Sequence, residues 1–340
     1  MLASISETGF DRWTGKLVRS LRRRYNDHCT TILTYHSISR EESIFTQMPG
    51  MRHSPTAFEA EIDYVARHFE IIGLRELTET LERGEQPKRA VVITFDDGFA
   101  DTLRIAMPIL YRRRIPMTVF PVTSVIGNRD LLWQHKLAWL CASGHEDRVR
   151  LTLKAAGWPP IEAGESLQHY ARLYYRHDLP EVLESILAAV GTSGPELAAE
   201  HAPYITSEDI ADADPDYVEF GNHTDTHPVL AALTAQQQST EIDIARRKLL
   251  ELTSRLPTSF AYPFGLKRHY NDTTKRLVVA SGHRAVVDMR RRMNVGVTSP
   301  HELSRKPGPC ASQLEFEKMI EAWPANAHMA PPQEVSDGEV

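Results

Sequence analysis

The chain has 340 residues, a formal net charge of −6 and an ordinary globular composition. That length allows one large α/β domain with insertions or two smaller domains, and the acidic balance gives no bulk electrostatic reason for nucleic-acid binding. The three cysteines, Cys29, Cys141 and Cys310, are widely spaced and odd in number, which excludes a disulfide framework or a Cys-x-x-Cys zinc knuckle and fits a reducing compartment.

The N-terminus has no signal-peptide core, and no apolar run reaches the roughly 20 residues that span a bilayer, so a cytoplasmic location is expected. Residues 1–29 are expected to hold a basic helix with Trp13, Leu17 and Leu21 four apart. It would dock on the protein itself, with weak membrane-surface contact as the sharper alternative. Basic triplets at 22–24, 112–114 and 290–292 read as solvated faces or helix ends.

A first strand is expected at 31–36, ending in Tyr35-His36. Ser54-Pro55 then opens a helix, with serine as cap and proline at the first helical position. Phe58, Ile62, Val65 and Phe69 give it one buried face. A short strand at 69–72 and a helix carrying Leu74, Leu77 and Leu81 follow. Val91-Val92-Ile93-Thr94-Phe95 is an apolar, β-branched run suited to a covered strand. It ends in Asp96-Asp97-Gly98. Next come a helix at 100–114, disturbed near Pro108, and a strand at 117–122.

This alternation of strand and helix predicts a parallel sheet or barrel. It breaks between about 130 and 205, where helical patterns at 131–141, 166–175 and 180–190 have no strand between them. That stretch is expected to be an inserted helical subdomain or lid. Strands resume at 217–222, 259–262 and 285–287, with helices at 234–256, 270–281 and 311–322. Residues 323–340 read as a disordered tail. The body of the protein is thus placed at 30–322.

Two adjacent carboxylates at the end of a buried strand are costly unless paired or bound to metal. His223 and His227 also follow a predicted strand. Four apart on a helical turn, both imidazoles would share one face and could bind one ion. One carboxylate of Asp96-Asp97 would complete a two-His, one-Asp site for a divalent ion such as Zn, Fe or Co. The other would be free to take a proton from water. The turn Pro263-Phe264-Gly265 could offer a backbone N–H to an oxyanion on the same rim.

In this order the motifs resemble those of the polysaccharide deacetylases (family 4 carbohydrate esterases, the NodB-homology domain). Thr94-Phe95-Asp96-Asp97-Gly98 and His223-Thr224-Asp225-Thr226-His227 match their first two motifs. Ala261-Tyr262-Pro263-Phe264-Gly265 is similar to the third, Arg-x-Pro-[Tyr/Phe]-Gly. The likeness covers roughly 30–130 and 205–305.

The resemblance implies a distorted (β/α) barrel. Asp97, His223 and His227 would bind one divalent metal ion, zinc first, with Co, Ni, Fe or Mn as alternatives. Asp96 would be the general base, Thr224 would hold the histidine loop, and the Phe264 N–H would bind the oxyanion. Tyr262, Pro263, Phe264 and Arg305 are the candidate substrate contacts. Two departures stand out. The third-motif arginine that orients the base is Ala261 here. The late Leu-x-His motif aligns with Leu303-Ser304-Arg305, so its histidine, the usual general acid, is missing; His301 and His36 are the candidates to replace it.

The function implied is a bacterial hydrolase that removes N-acetyl groups from an amino sugar in an oligo- or polysaccharide of the exopolysaccharide or capsule type. Two alternatives stand beside it: a same-fold hydrolase of another C–N bond, in a formamide or cyclic ureide, and a catalytically silent sugar-binding relative.

Overall fold

The computed structural model describes residues 29–321, apart from Ala163, Met293 and Val297. The expected N-terminal basic helix and C-terminal tail lie outside the described residues. Seven parallel strands carry the fold: β1 (Cys29–Tyr35), β2 (Ala90–Asp97), β3 (Met117–Pro121), β4 (Val218–Phe220), β5 (Ser259–Ala261), β6 (Ala285–Asp288) and β7 (Leu303–Pro307). Their spatial order is β4-β3-β2-β1-β7-β6-β5.

The sheet nearly closes on itself. Beyond β4, Asn222 donates its N–H to Ser259 O at 2.9 Å and accepts from Ala261 N–H at 3.0 Å. The seven strands therefore form a nearly closed barrel, and their C-terminal ends share one rim. β2 lies between β1 and β3 and is buried along all of Ala90–Asp97. That double-sided burial explains a continuous apolar run where a half-exposed strand would alternate.

Helices pack outside. Helix α1 (Pro55–His68) is capped by the Ser54 side chain and buries Phe58, Ile62 and Val65. Helix α2 (Leu74–Glu82) buries Leu74, Leu77 and Leu81. The expected helix at 100–114 is a wide π-helical turn, Thr102–Ala106, leading into α3 (Met107–Tyr111). Pro108 falls in the first turn of α3, where its missing N–H is tolerated.

Five helices fill the expected insertion: α4 (Trp133–Ala142), α5 (Glu146–Ala155), α6 (Leu167–Leu173), α7 (Leu179–Ala189) and α8 (Gly194–His201). The insertion is stitched to the tip of β2. Ile205 N–H donates to Gly98 O at 2.9 Å, and Ala100 N–H to Pro203 O at 2.8 Å. Its apolar side chains, among them Trp133, Leu137 and Leu187, form one cluster with Phe260 and Tyr262 of the barrel. Helix α10 (Ala235–Thr253), after the short α9 (Ser207–Ala211), then α11 (Asp272–Ala280) and α12 (Gln313–Glu321), complete the outer layer.

One strand of the barrel escapes the sequence reading. β7, Leu-Ser-Arg-Lys-Pro, carries two cations and a proline. Nothing in that run signals a strand, yet it pairs with both β1 and β6. Among the described residues no helix is long and apolar enough to cross a membrane.

Candidate metal centre and its base

In a regular strand Asp96 and Asp97 would point to opposite faces. Here the backbone turns left-handed at Asp97 (φ 66°) and at Gly98 (φ 76°). Both carboxylates thereby reach the barrel mouth: His223 Nε2 lies 3.9 Å from Asp96 Oδ2 and 3.6 Å from Asp97 Oδ1. Only glycine fits at 98, because a Cβ there would stand 2.9 Å from Pro121 Cβ.

The two histidines do not sit on a helical turn, contrary to expectation. Residues 223–227 form an irregular loop in which Thr224 (φ 68°) and His227 (φ 59°) are left-handed. Such geometry costs about 1–3 kcal/mol per residue and persists only when surrounding contacts over-determine it. Those contacts are present. Thr224 Oγ1 accepts the His227 N–H at 3.1 Å, and Asn222 Oδ1 accepts the Thr224 N–H at 2.9 Å. The Glu241 carboxylate of α10 accepts the N–H groups of Asp225 (3.0 Å) and Thr226 (2.8 Å). Lys248 and Thr123 hold Asp225 at 2.7 and 2.6 Å.

Asp97, His223 and His227 together make a buried donor set, with one ligand atom from each all within 4.8 Å of one another. His227 Nε2 is 3.4 Å from Asp97 Oδ1. A tetrahedral ion with bonds of about 2.1 Å has ligand edges of roughly 3.4 Å. Asp97 Oδ1 and His223 Nε2 are both buried without a hydrogen-bond partner. Orphaned donors of this kind are rare unless something else satisfies them. The residues therefore fit a small divalent cation.

Electrostatics agrees. Burial opposes ionisation of Asp97, but His227 and His223 more than offset it, and the carboxyl lies well below the usual range. Burial likewise opposes charge on His223, yet Asp96 and Asp97 raise its proton affinity. The same pull would act on a cation. Burial, helped by His223, pushes His227 down to about 3 against the attraction of Asp97, so it is neutral. His223 Nδ1 donates to Ala261 O at 2.8 Å, which leaves its Nε2 lone pair facing the other ligands.

Asp96 is in a different setting. Arg305, wholly buried, grips it with two parallel bonds: Nη1 to Oδ1 at 2.7 Å and Nη2 to Oδ2 at 2.6 Å. Nη1 also reaches Thr94 Oγ1 at 3.2 Å. Burial works against the charge on Asp96, but Arg305, then His223, holds its carboxyl below the ordinary range. Arg305 thus supplies, from β7, the cation that the motif comparison expects at position 261. This corrects its placement among the substrate contacts, since a fully buried guanidinium committed to Asp96 has no face left for substrate.

The third-motif turn is also strained, with Phe264 (φ 61°) and Gly265 (φ 68°) both left-handed. Phe264 packs its ring 4.6 Å from His227. Tyr262, expected to touch substrate, is buried and stacked on Tyr270 at 3.9 Å between ring centroids; its ring belongs to the core. Pro263 is buried beside it. His36 stands after β1 on the active rim, near enough to Asp96 and Asp97 for electrostatic coupling to both. Its Nδ1 is buried without a partner. His301 is corrected: it precedes β7, on the opposite rim, is exposed, and bonds His283 O at 3.2 Å. It cannot reach the chemistry.

Three site neighbours were not foreseen, all in the first turn of α4. Trp133 Nε1 donates to His227 O at 3.0 Å, and the Gln134 amide meets His227 Nδ1 at 2.8 Å. His135 is buried against Tyr204, with its Nδ1 2.6 Å from the phenol oxygen, and burial lowers it to about 4. Only the apolar spacing of α4 was legible; nothing in the sequence says which of its turns meets the barrel.

Comparison with known proteins agrees with the barrel and its motifs. A family model described as polysaccharide deacetylase matches residues 83–152 and 197–286, leaving out most of the insertion. Those two segments of the chain carry a polysaccharide deacetylase domain.

A poly-beta-1,6-N-acetyl-D-glucosamine N-deacetylase of Staphylococcus aureus is 26% identical over 136 residues, 36% of this chain and 47% of that protein. YxkH of Bacillus subtilis is 28% identical over 115 residues, 33% of this chain and 39% of that protein. The matches thus span less than half the length of these relatives. Among solved structures, IcaB from Ammonifex degensii superposes with a TM-score of 0.56 at 17% identity, over 86% of this chain and 96% of the other. The Streptococcus pyogenes deacetylase PplD, in complex with acetate, gives 0.55 at 18% identity, over 82% and 91%. At those identities the likeness concerns the fold.

Proposed function

We propose that this protein is a metal-dependent hydrolase that removes the N-acetyl group from an amino sugar within an oligo- or polysaccharide. The observation that carries the reading is the split of one Asp-Asp pair. Asp97 joins two histidines in an orphaned donor set, while Asp96, beside it, is held as a carboxylate by Arg305. A sugar-binding protein needs no ionised base beside a cation site.

A divalent ion on Asp97, His223 and His227, with zinc first on its preference for histidine and carboxylate donors, would supply Lewis acidity toward the acetyl carbonyl and the attacking water. Asp96 takes the proton of that water as it adds to the carbonyl carbon. Arg305 fixes the plane of the carboxylate, so its oxygens need not reorganise. The Phe264 N–H, on its strained turn, is assigned to the developing oxyanion. When the C–N bond breaks, the sugar amine takes up a proton and acetate departs. His36, on the same rim, is assigned the delivery of that proton. The S. aureus relative points to a β-linked N-acetylglucosamine polymer as the first substrate to try.

Acetate release from N-acetylglucosamine oligomers by metal-loaded protein tests the reading. Turnover that disappears with a chelator and returns with zinc or cobalt is the expected result. Protein that holds one ion per chain yet releases no acetate from any N-acetylated oligosaccharide would sink it.

A further inference from the structure

The two histidines of the donor set are oriented by different parts of the chain. His223 Nδ1 donates to a barrel carbonyl, Ala261 O, which fixes the tautomer and leaves Nε2 as a lone-pair donor. Among the described residues His227 has no such carbonyl. Its Nδ1 meets the Gln134 side-chain amide at 2.8 Å, from the inserted helix α4. The same helix turn holds the ligand's backbone, through Trp133 Nε1 to His227 O at 3.0 Å. Trp133 also packs 6.0 Å from the ring of Phe264.

For His227 Nε2, 3.4 Å from Asp97 Oδ1, to offer a lone pair to a cation, its Nδ1 must carry the proton. The group facing Nδ1 must then be an acceptor. The oxygen and nitrogen of a carboxamide are assigned from the hydrogen-bond network. With Nε2 of Gln134 turned to the ring, Oε1 is buried and has no partner. Turning the amide over satisfies that oxygen with the Nδ1–H of His227 and frees the histidine Nε2.

We infer that Gln134, a residue of the helical insertion, is the positioning residue that accepts the Nδ1 proton of His227 and so sets this ligand for the metal. The inference rests on the metal reading of Asp97, His223 and His227. It makes the insertion part of the metal site: α4 closes against the barrel and fixes the tautomer and backbone of one ligand. Outer partners of metal-bound histidines change affinity by about 10–100-fold when lost.

The test is zinc alone, titrated into the full chain against a chromogenic chelator, with cobalt absorption as a second readout of ligand geometry. Gln134→Met keeps the bulk and removes the strong acceptor; it should weaken zinc binding about 10–100-fold. Gln134→Glu, an acceptor only, should restore affinity and the wild-type cobalt spectrum. His223→Ala, measured in parallel, should abolish binding at this site. Zinc affinity of Gln134→Met equal to wild type, with His223→Ala inactive in binding, overturns the role of Gln134 and leaves the site reading standing. Wild-type affinity retained in His223→Ala overturns the site reading itself. If Gln134→Met does not fold, Gln134→Glu decides: affinity well below wild type with an altered cobalt spectrum counts against the acceptor role.

Discussion

Two sides of the barrel mouth, a few ångströms apart, treat the same chemical group in opposite ways. On the side of β4 and its loop, Asp97 has an oxygen with no hydrogen-bond partner, next to a histidine nitrogen in the same state. On the side of β7, Asp96 has both oxygens bound by one buried guanidinium. The first site leaves ligating atoms without partners, as a cation site would. The second is complete already, with a charge balanced by the protein itself. One Asp-Asp pair is thus divided between an open donor set and a carboxylate whose charge the protein balances itself.

The comparison can be broken at its most open point first. His223→Ala or Asp97→Asn should lose the ion and all measurable turnover, read by metal analysis and acetate release. On the closed side, Asp96→Asn should keep the ion and lower kcat by about 10²–10⁴, as expected when a general base is removed. Equal metal loss in Asp96→Asn would erase the distinction between the two carboxylates.

Arg305→Gln probes the closure itself. It strands Asp96 without its cation, and breaking a buried pair this way costs about 3–5 kcal/mol, visible in denaturant unfolding. The pH dependence follows in sign. The Asp96 carboxyl is depressed in the folded protein, so its contribution is present above its unfolded value and lost as pH falls through the folded one. Without Arg305, burial dominates and the carboxyl rises, so the acid limb of kcat/KM should move to higher pH. An unmoved limb would mean that Arg305 does not tune the base.

The smallest effect belongs to the far rim. His301→Ala should leave turnover unchanged and stability within about 0.5 kcal/mol, as for an ordinary surface site. His36→Ala, on the active rim, should lower kcat more than it raises KM; the pair of variants separates the two rims by function.

Much of this was legible in the chain. The apolar run of β2 announced a covered strand because both faces are buried, and alternation with amphipathic helices announced parallel pairing. Asp96, Asp97, His223 and His227 could be singled out because short motifs at strand ends survive as contiguous text. The helical turn expected at 223–227 was wrong, since left-handed Thr224 and His227 are sustained by Asn222 and Glu241, which sequence spacing does not connect to them.

The sequence by itself determined most of the elements, the candidate ligand types and the gap left by Ala261. Only the tertiary structure decided what fills that gap. Arg305 lies 209 residues from Asp96 along the chain, on a strand with no local signature. The Gln134 contact spans 93 residues and depends on how the insertion closes. Local propensity and periodicity report on neighbours in sequence. A buried charge pair or an outer-sphere hydrogen bond is chosen by which strands become neighbours in space, and that is set by the global closure of the barrel.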